Sequence, residues 1–380
     1  MSEPNGGSVR VLQGDTPVPR RVRVALIGCG SLGVSVHLPI LRRLPGVGVV
    51  AVADSSPAAL RAAGALAPDA TAFEDYRELL ARDEIDAVIV AVPTHLHARV
   101  ATEVFGARKH LYLEKPLAGS VAEGRQLVDC WRETGRVGII GFNYRFSPLF
   151  LRLRDRIARE AVGEVVAVRM MFASAPATLP DWKTRRTTGG GALLDFGVHH
   201  VDLVRFLLQR DVRSVGAQLH SVHSDDDRVS LDLYLDGGVV VQCLFAFGAV
   251  DEDRVEVYGS RGKLTVDRFH SIDVEFRPAG VGSSRAARLG LGWRGPALRS
   301  VLGSPVLIQR LRAPTAEPSF QASLANFVAA AATGRQTSPD LSDGLKALEV
   351  LDAASRSAAE GRRVILGARQ DASQATRPPR

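Results

Sequence analysis

Three short segments of the chain combine residue types that could carry out chemistry. The first is Gly28-Cys29-Gly30-Ser31-Leu32-Gly33, a G-x-G-x-x-G pattern with an apolar run before it and an apolar stretch after it. Glycines at this spacing permit a tight turn and a close approach of a pyrophosphate, whose charge a helix N-terminus stabilises. Because the flanks read as strand and helix, the segment predicts a dinucleotide site; a glycine turn that serves packing alone is the alternative.

An acidic residue after the next predicted strand indicates which dinucleotide binds. Asp54 directly follows the apolar run 47–53, which we predict to be a strand. A carboxylate at this point accepts hydrogen bonds from the ribose 2′-OH of NAD and repels the 2′-phosphate of NADP. The sequence therefore favours NAD, with NADP as the other possible cofactor.

The second segment is Glu114-Lys115-Pro116, which follows the predicted strand 110–113. Proline biases the residue before it toward extended backbone, so we expect Lys115 at the carboxyl end of that strand. Open α/β sheets bind ligands at this edge. A lysine there can hydrogen-bond a substrate oxygen and stabilise negative charge that develops on it, although the triplet alone is more typical of a solvated turn.

The third segment runs from 189 to 202 and contains Asp195, His199 and Asp202. In a regular α-helix these three residues fall within about 60° of one another, so we predict that they share one face and that His200 points away. A carboxylate one turn from a histidine can orient it and fix its tautomer, and a histidine can exchange a proton with an alcohol near neutral pH. A polar helix face without chemistry is the alternative; a metal site is disfavoured because no third ligand is evident.

The hydrophobic pattern that must position these segments changes partway along the chain. Strand-like runs alternate with helical patterns from 22 to 143, which is typical of βαβ units and a parallel sheet. Beyond residue 164, long strand-like runs follow one another with turn signals such as Asp236-Gly237-Gly238, which is typical of an antiparallel sheet. We therefore predict an α/β Rossmann domain over 22–143 and an α+β domain with a large, mostly antiparallel open sheet over 144–366.

Three helices are predicted in the second half, over 192–208, 320–332 and 343–358, and the ends of the chain, 1–21 and 367–380, are predicted to be disordered tails. The longest apolar runs fall well short of the roughly 18 residues that cross a bilayer, and the first residues contain no apolar block. We therefore expect a cytoplasmic protein with no membrane partner.

The excess of positive charge is local. The chain has a net charge of +7, and the stretch 277–312 alone contains seven arginines and no acid. Several glycines and prolines and no clean period predict a loop or insertion there, either solvated or covering an anionic substrate. Since no nucleic-acid motif accompanies it, we expect no nucleic-acid partner. The three cysteines are far apart, which disfavours a disulfide framework or a cysteine metal site.

Taken together, these motifs resemble the glucose-fructose oxidoreductase and inositol dehydrogenase family, often called Gfo/Idh/MocA. Glu114-Lys115-Pro116 and the run from Gly189 to Asp202 are similar to two family elements, and the likeness extends from about residue 22 to 366. Two further stretches, 92–97 and 141–146, are similar to family segments beside the nicotinamide and at the domain junction. The resemblance implies a homo-dimer or homo-tetramer, with the open sheet as the interface.

The resemblance also implies roles for individual residues. His199 would be the base in oxidation and the acid in reduction, Lys115 would polarise the reacting oxygen, and Asp195 would orient them, with no metal required. Pro93, Thr94, His97 and Glu114 would join the glycine turn and Asp54 in holding the cofactor. We expect the following residues around a polar sugar pocket: Lys115, Tyr144, Arg145, Trp182, Lys183, Asp195, His199 and Asp202. Surface or packing roles are the alternative for Tyr144, Arg145, Trp182 and Lys183, and support of the helix is the alternative for Asp202.

The predicted function is hydride transfer between a nicotinamide dinucleotide and a secondary alcohol or ketone of a sugar or cyclitol. A nucleotide-sugar or aminoglycoside-type ketoreductase would use the same residues and is the alternative among enzymes. A regulator that binds dinucleotide without turnover is the alternative from another class, because fold alone does not decide function. The joint presence of Lys115, Asp195 and His199 favours catalysis, since a binding module has no need of all three.

Overall fold

The computed structural model describes residues 21–176, 179–280, 305–313 and 317–367. Within them, a parallel sheet is followed by a larger, mostly antiparallel sheet, which confirms the predicted fold class. The two predicted tails, apart from residues 21 and 367, and residues 281–304 of the basic stretch lie outside the described residues. No helix in the described part of the chain is long and apolar enough to cross a membrane.

The first sheet has six parallel strands in the order β3-β2-β1-β4-β5-β6. The strands are β1 (Val22–Ile27), β2 (Val47–Ala53), β3 (Thr71–Phe73), β4 (Ala87–Val90), β5 (His110–Leu113) and β6 (Gly138–Ile140). The helices between them are α1 (Leu38–Leu41), α2 (Pro57–Leu66), α3 (Tyr76–Leu80), α4 (His97–Gly106) and α5 (Val121–Thr134). Val24 and Leu26 pack into one core and Ala25 and Ile27 into another, so the sheet is covered on both faces and its strands read as continuous apolar runs.

The second sheet has eight strands in the order β13-β12-β11-β7-β10-β9-β8-β14. The strands are β7 (Val165–Ser174), β8 (Val212–His220), β9 (Arg228–Leu235), β10 (Val240–Phe247), β11 (Glu252–Gly259), β12 (Gly262–Asp267), β13 (Glu275–Pro278) and β14 (Val364–Ile365). One pair departs from the antiparallel pattern: β7 and β10 run parallel, with Ala167 beside Val240. The chain passes through two helices and two strands after β7 before β10 returns beside it, a crossover that a run of hairpins would not produce.

The remaining helices are α6 (Pro148–Ala158), α7 (Asp181–Thr184), α8 (Val198–Leu208), α9 (Pro305–Arg312), α10 (Pro318–Thr333) and α11 (Leu341–Glu360). Helix α9 corrects the prediction of a loop throughout 277–312, because Val306 anchors this end of the basic stretch in the core of the second sheet. Helix α10 returns to the first sheet, where Phe327 packs with Leu26 and the Tyr112 hydroxyl lies 3.1 Å from Ser323 Oγ.

Candidate active site

The glycine turn after β1 uses its three glycines for two different purposes. Gly28 has a φ of +99°, and a Cβ there would lie 2.4 Å from the Ala91 carbonyl oxygen; a Cβ on Gly33 would lie 2.2 Å from the Gly28 carbonyl oxygen. The protein's own packing therefore requires these two glycines. A Cβ on Gly30 would meet nothing within 4 Å, so its missing side chain leaves space on the ligand side of the turn. The turn is a cradle that fits a pyrophosphate.

Asp54, at the carboxyl end of β2, is tied to the glycine turn. Its Oδ2 accepts a hydrogen bond from the Cys29 backbone N–H at 2.7 Å, and its Oδ1 accepts one from the Ser56 N–H at 2.8 Å. Each carboxylate oxygen has a second lone pair that remains for a ribose hydroxyl. Asp54 therefore fits the sequence-based expectation and also braces the turn, a second role that the motif did not predict.

A cavity of about 990 Å³ opens at the carboxyl ends of β1, β2, β4 and β5, close to the upper size of ordinary ligand pockets. Its wall brings together most of the residues predicted from the sequence: Gly28, Gly30, Ser31, Leu32, Asp54, Pro93, Thr94, His97, Glu114, Lys115, Trp182, Lys183, Asp195 and His199. Five predicted residues do not line it: Cys29, Gly33, Tyr144, Arg145 and Asp202. In the described residues, no group of three or more His, Cys, Asp or Glu side chains could hold a metal ion.

Lys115 stands directly beyond β5, at the edge where its position before Pro116 predicted it. Its Nζ donates to Asp195 Oδ1 at 2.7 Å and to the Asp195 carbonyl oxygen at 3.0 Å. An ammonium group has three N–H donors, so one remains for a ligand in the cavity. Lys115 is thus aimed by Asp195 and is available to an oxygen atom of a substrate.

Asp195 is held by a second lysine that comes from α7. Lys183 Nζ donates to Asp195 Oδ2 at 2.9 Å, so each carboxylate oxygen accepts from one ammonium group. Burial alone would raise the pKa of Asp195, but the positive charges of Lys115 and Lys183 outweigh burial and hold this pKa well below its ordinary value. The carboxylate stays ionised and keeps the two lysines side by side.

The predicted contact between Asp195 and His199 is not formed. The residues Leu193–Gly197 form a π-helical turn before α8, which places one extra residue in the turn and shifts the phase of every side chain that follows. Asp195 faces the two lysines, while the buried Nδ1 of His199 has no hydrogen-bond partner. Both side chains still line the cavity, but the spacing argument assumed a regular α-helix and did not anticipate that Asp195 would bind lysines instead of His199.

His199 lies against aromatic rings and is only 8% exposed. Its imidazole stacks on the ring of Tyr144, with centroids 4.3 Å apart and planes 11° from parallel, and Phe142 meets it edge-on. Burial, and then the positive charge of Lys115, lower the pKa of His199 well below its ordinary value. The imidazole is therefore neutral at pH 7 and can accept a proton.

Asp202 and Arg145 form a buried ion pair away from the cavity wall. Arg145 Nε donates to Asp202 Oδ2 at 2.8 Å, and Arg145 Nη1 donates to Asp343 Oδ2 at 3.1 Å. Asp202 is 1% exposed. The structure thus joins α8 to the start of α11 through these residues and does not bring them to the cavity wall, which favours the packing and helix-support alternative over a substrate contact.

His97 and Glu114 line the cavity but have protein partners. The two ring nitrogens of His97 lie 2.6 Å from the Pro116 carbonyl oxygen and 2.9 Å from the Val92 carbonyl oxygen, so the ring braces the turn that carries Lys115. Glu114 Oε1 lies 3.0 Å from Nε2 of His37. Sequence reasoning missed His37, because a histidine in an apolar helix after a glycine turn has no distinguishing pattern.

The comparisons with known proteins agree with this geometry. A model described as an oxidoreductase family with an NAD-binding Rossmann fold matches residues 22–142, and a model of the GFO/IDH/MocA C-terminal domain matches residues 150–265. The dTDP-3,4-didehydro-2,6-dideoxy-alpha-D-glucose 3-reductase of Streptomyces violaceoruber is 32% identical over 70% of this chain and 78% of its own length. The inositol 2-dehydrogenase of Rhizobium meliloti is 28% identical over 91% of this chain and 99% of its own length.

Among solved structures, GenD2 from gentamicin A biosynthesis in complex with NAD is similar, with a TM-score of 0.75 and 29% identity over 92% of this chain and 97% of that one. Levoglucosan dehydrogenase in complex with NADH and levoglucosan has the same TM-score at 23% identity, over 91% of this chain and 99% of that one. The second likeness establishes the fold alone.

Proposed function

The chain belongs to the Gfo/Idh/MocA family of NAD-binding oxidoreductases, and we propose that it transfers a hydride between NAD and the secondary alcohol or ketone of a cyclitol or free sugar. The observation that carries the proposal is the convergence of three side chains at one wall of the cavity. Lys115 and Asp195 are joined there at 2.7 Å, and the neutral imidazole of His199 lines the same wall. A site that only bound a dinucleotide would not need this set.

The contacts of each residue suggest its role in the proposed reaction. When bound, NAD supplies the hydride chemistry. The remaining N–H of Lys115 donates to the reacting oxygen and stabilises negative charge there, and Asp195 keeps that ammonium group in place. His199 accepts the proton of the alcohol in oxidation and returns it to the oxygen in reduction. Gly30 and Asp54 would hold the pyrophosphate and the adenosine ribose, respectively.

A nucleotide-sugar or aminoglycoside-type substrate is the second candidate. It is favoured by the similarity to a dTDP-sugar 3-reductase and to GenD2 of gentamicin A biosynthesis. The part of the cavity near Asp195 also contains two ammonium groups, from Lys115 and Lys183, against one carboxylate. This excess of positive charge suits a substrate with a phosphate group.

The test is the absorbance of reduced nicotinamide while the purified protein is offered NAD or NADP with inositols, free sugars, sugar phosphates and nucleotide sugars. We expect turnover with NAD that disappears in His199→Gln, a variant that keeps a polar side chain of similar size. Turnover confined to nucleotide sugars would move the assignment to the second candidate. Tight dinucleotide binding without turnover in either direction across the panel would contradict the proposal and favour a regulator.

We also propose that the protein assembles as a homo-dimer or homo-tetramer through the open face of the second sheet. Leu244, 46% exposed, lies beside Met171 on the face turned away from the helices. An arginine at position 244 would place a charge in such an interface. Light scattering of Leu244→Arg should report a smaller particle than the wild type, and an unchanged mass would contradict this interface.

A further inference from the structure

The base of the proposed reaction lacks the usual means by which proteins orient a histidine. A carboxylate or carbonyl normally accepts from the second ring nitrogen and fixes both tautomer and direction. Here Nδ1 of His199 is buried without a hydrogen-bond partner, and both carboxylate oxygens of Asp195 accept hydrogen bonds from lysines. Something other than a hydrogen bond must hold this imidazole.

The ring of Tyr144 lies flat against His199 and has the geometry to do so. The centroids are 4.3 Å apart and the planes differ by 11°, whereas the next ring, Phe142, meets the imidazole at 62° from 6.4 Å. Tyr144 is 5% exposed and absent from the cavity wall, so a substrate does not compete for its ring. Face-to-face packing over this area restricts the imidazole to one plane.

Tyr144 is itself anchored by a buried carboxylate on β11. Its hydroxyl donates to Asp253 Oδ2 at 2.9 Å, and the same oxygen accepts from Arg268 Nε at 2.6 Å. Nε2 of His200 lies 3.1 Å from the other oxygen of Asp253. Asp253 is fully buried; burial alone would raise the pKa of its carboxyl, but the hydrogen bond from His200 and the charge of Arg268 lower it to about 2.

Arg268 adds a second contact to the tyrosine. Its guanidinium carbon lies 4.7 Å from the centroid of the Tyr144 ring, and its Nη1 donates to Glu317 at 3.0 Å. Glu317 caps the N-terminus of α10, the helix that packs on the first sheet. The anchor of Tyr144 thus reaches from the second sheet to the helix that covers the first sheet.

We propose that Tyr144 is a positioning residue for His199, with its ring as the supporting surface and Asp253 and Arg268 as the anchor of that ring. The inference rests on the proposed function, in which His199 is the base. It replaces the substrate contact that the sequence suggested for Tyr144, because the hydroxyl is already engaged by Asp253.

The experiment compares two replacements of similar volume. Tyr144→Phe keeps the ring and loses the hydroxyl, whereas Tyr144→Met fills the space with an unbranched chain and no ring. Tyr258→Met is the matched control: the Tyr258 hydroxyl also donates to a carboxylate, Glu256 at 2.8 Å, and a cation also lies near its ring, but on the second sheet away from the cavity.

The first readout is the NMR signal of the His199 ring protons in the dinucleotide-bound protein with labelled histidine. The chain has nine histidines, and the signal that vanishes in His199→Gln identifies the right one. A stacked aromatic ring moves this signal upfield. We expect the upfield position in the wild type, Tyr144→Phe and Tyr258→Met, and a downfield move in Tyr144→Met; an unchanged signal in Tyr144→Met overturns the inference.

The second readout needs no variant. An NOE between the ring protons of Tyr144 and His199 is expected in the wild type, and its absence overturns the inference even if Tyr144→Met fails to fold. Neither NMR measurement requires a substrate, so both remain decisive if no sugar is turned over and the proposed function itself fails.

The third readout is kinetic. Small misplacements of a catalytic group cost up to about a hundredfold, so we expect kcat to fall by roughly ten- to a hundredfold in Tyr144→Met with KM nearly unchanged. Tyr144→Phe should recover most of that loss. Equal losses in the two variants, or a loss confined to KM, would contradict a positioning role for the ring.

Discussion

Replacing Lys115 with methionine removes one ammonium group from the cavity and keeps a side chain of similar length. Two of the three N–H donors of Lys115 are used by Asp195, at 2.7 and 3.0 Å, which leaves one for the reacting oxygen. Loss of one donor to a developing oxyanion costs about 2.7–4 kcal/mol in the barrier, or about a hundred- to a thousandfold in kcat. We expect a fall of that size in Lys115→Met.

The same substitution should leave the protein folded. Removing one partner of a buried ion pair costs about 3–5 kcal/mol when the other charge is left alone. Asp195 is not left alone, because Lys183 still donates to it at 2.9 Å. We therefore expect the free energy of unfolding to fall by less than that amount and the affinity for NAD to stay within a fewfold of the wild type.

The assay follows reduced nicotinamide by absorbance for kcat and uses titration calorimetry for dinucleotide affinity. Lys263→Met is the matched control, since Lys263 is also a partly buried lysine paired with a carboxylate, Glu256, but on the second sheet. A loss of less than tenfold in Lys115→Met, with NAD binding intact, would refute the role assigned to this lysine. An equal loss in Lys263→Met would show that the effect is not local to the cavity.

Three further predictions follow from the dinucleotide half and the base. Gly30→Ala should weaken NAD binding at least tenfold in calorimetry without lowering the melting temperature, because its Cβ would meet no protein atom. Gly28→Ala should lower the melting temperature, because its Cβ would collide with the backbone. Equal melting temperatures for the two variants would contradict this difference between the glycines. Asp54→Ala should lower the ratio of kcat/KM with NAD to kcat/KM with NADP. A wild-type protein that already prefers NADP would show that Asp54 does not select NAD. Burial lowers the pKa of His199 in the folded protein, so below about pH 6.5 the folded form binds fewer protons at this residue than the unfolded chain does. The stability that the neutral imidazole allows is therefore present above about pH 6.5 and is lost as the pH falls below that value. Urea unfolding at pH 7.5 and 5.5 should therefore show a smaller acid loss in His199→Gln than in the wild type, and an equal loss would place the titration elsewhere.

Strands that are long and apolar were predictable from the sequence, and those that depend on a neighbour were not. Runs such as 22–27 and 228–235 have the pattern of buried and half-buried strands, respectively, and both are strands in the structure. β14 has two residues, Val364–Ile365, and exists only because it pairs with β8. Its pattern is too short to carry a period, so no local signal could have revealed it.

The site was predictable where a motif places a residue at a strand end. Lys115 and Asp54 stand beyond β5 and β2 at the edge where the sequence placed them. The surroundings of Tyr144 were not predictable, because Asp253, which accepts from its hydroxyl, is 109 residues away along the chain. Contacts of this kind arise when the chain folds and distant segments pack together, so no local spacing in the sequence indicates them.

The π-helical turn Leu193–Gly197 also has a consequence for protein engineering. A transplant of the Asp195 and His199 pair onto a regular helix, with the same number of intervening residues, would turn His199 relative to Asp195, because the π-helical turn sets the angle between the two side chains. The imidazole would then be displaced from the substrate oxygen that Lys115, aimed by Asp195, is proposed to bind. Any scaffold built to host this chemistry needs the extra residue in the helix as much as it needs the side chains, and deleting one residue between 193 and 197 would be a simple way to dismantle the site from within.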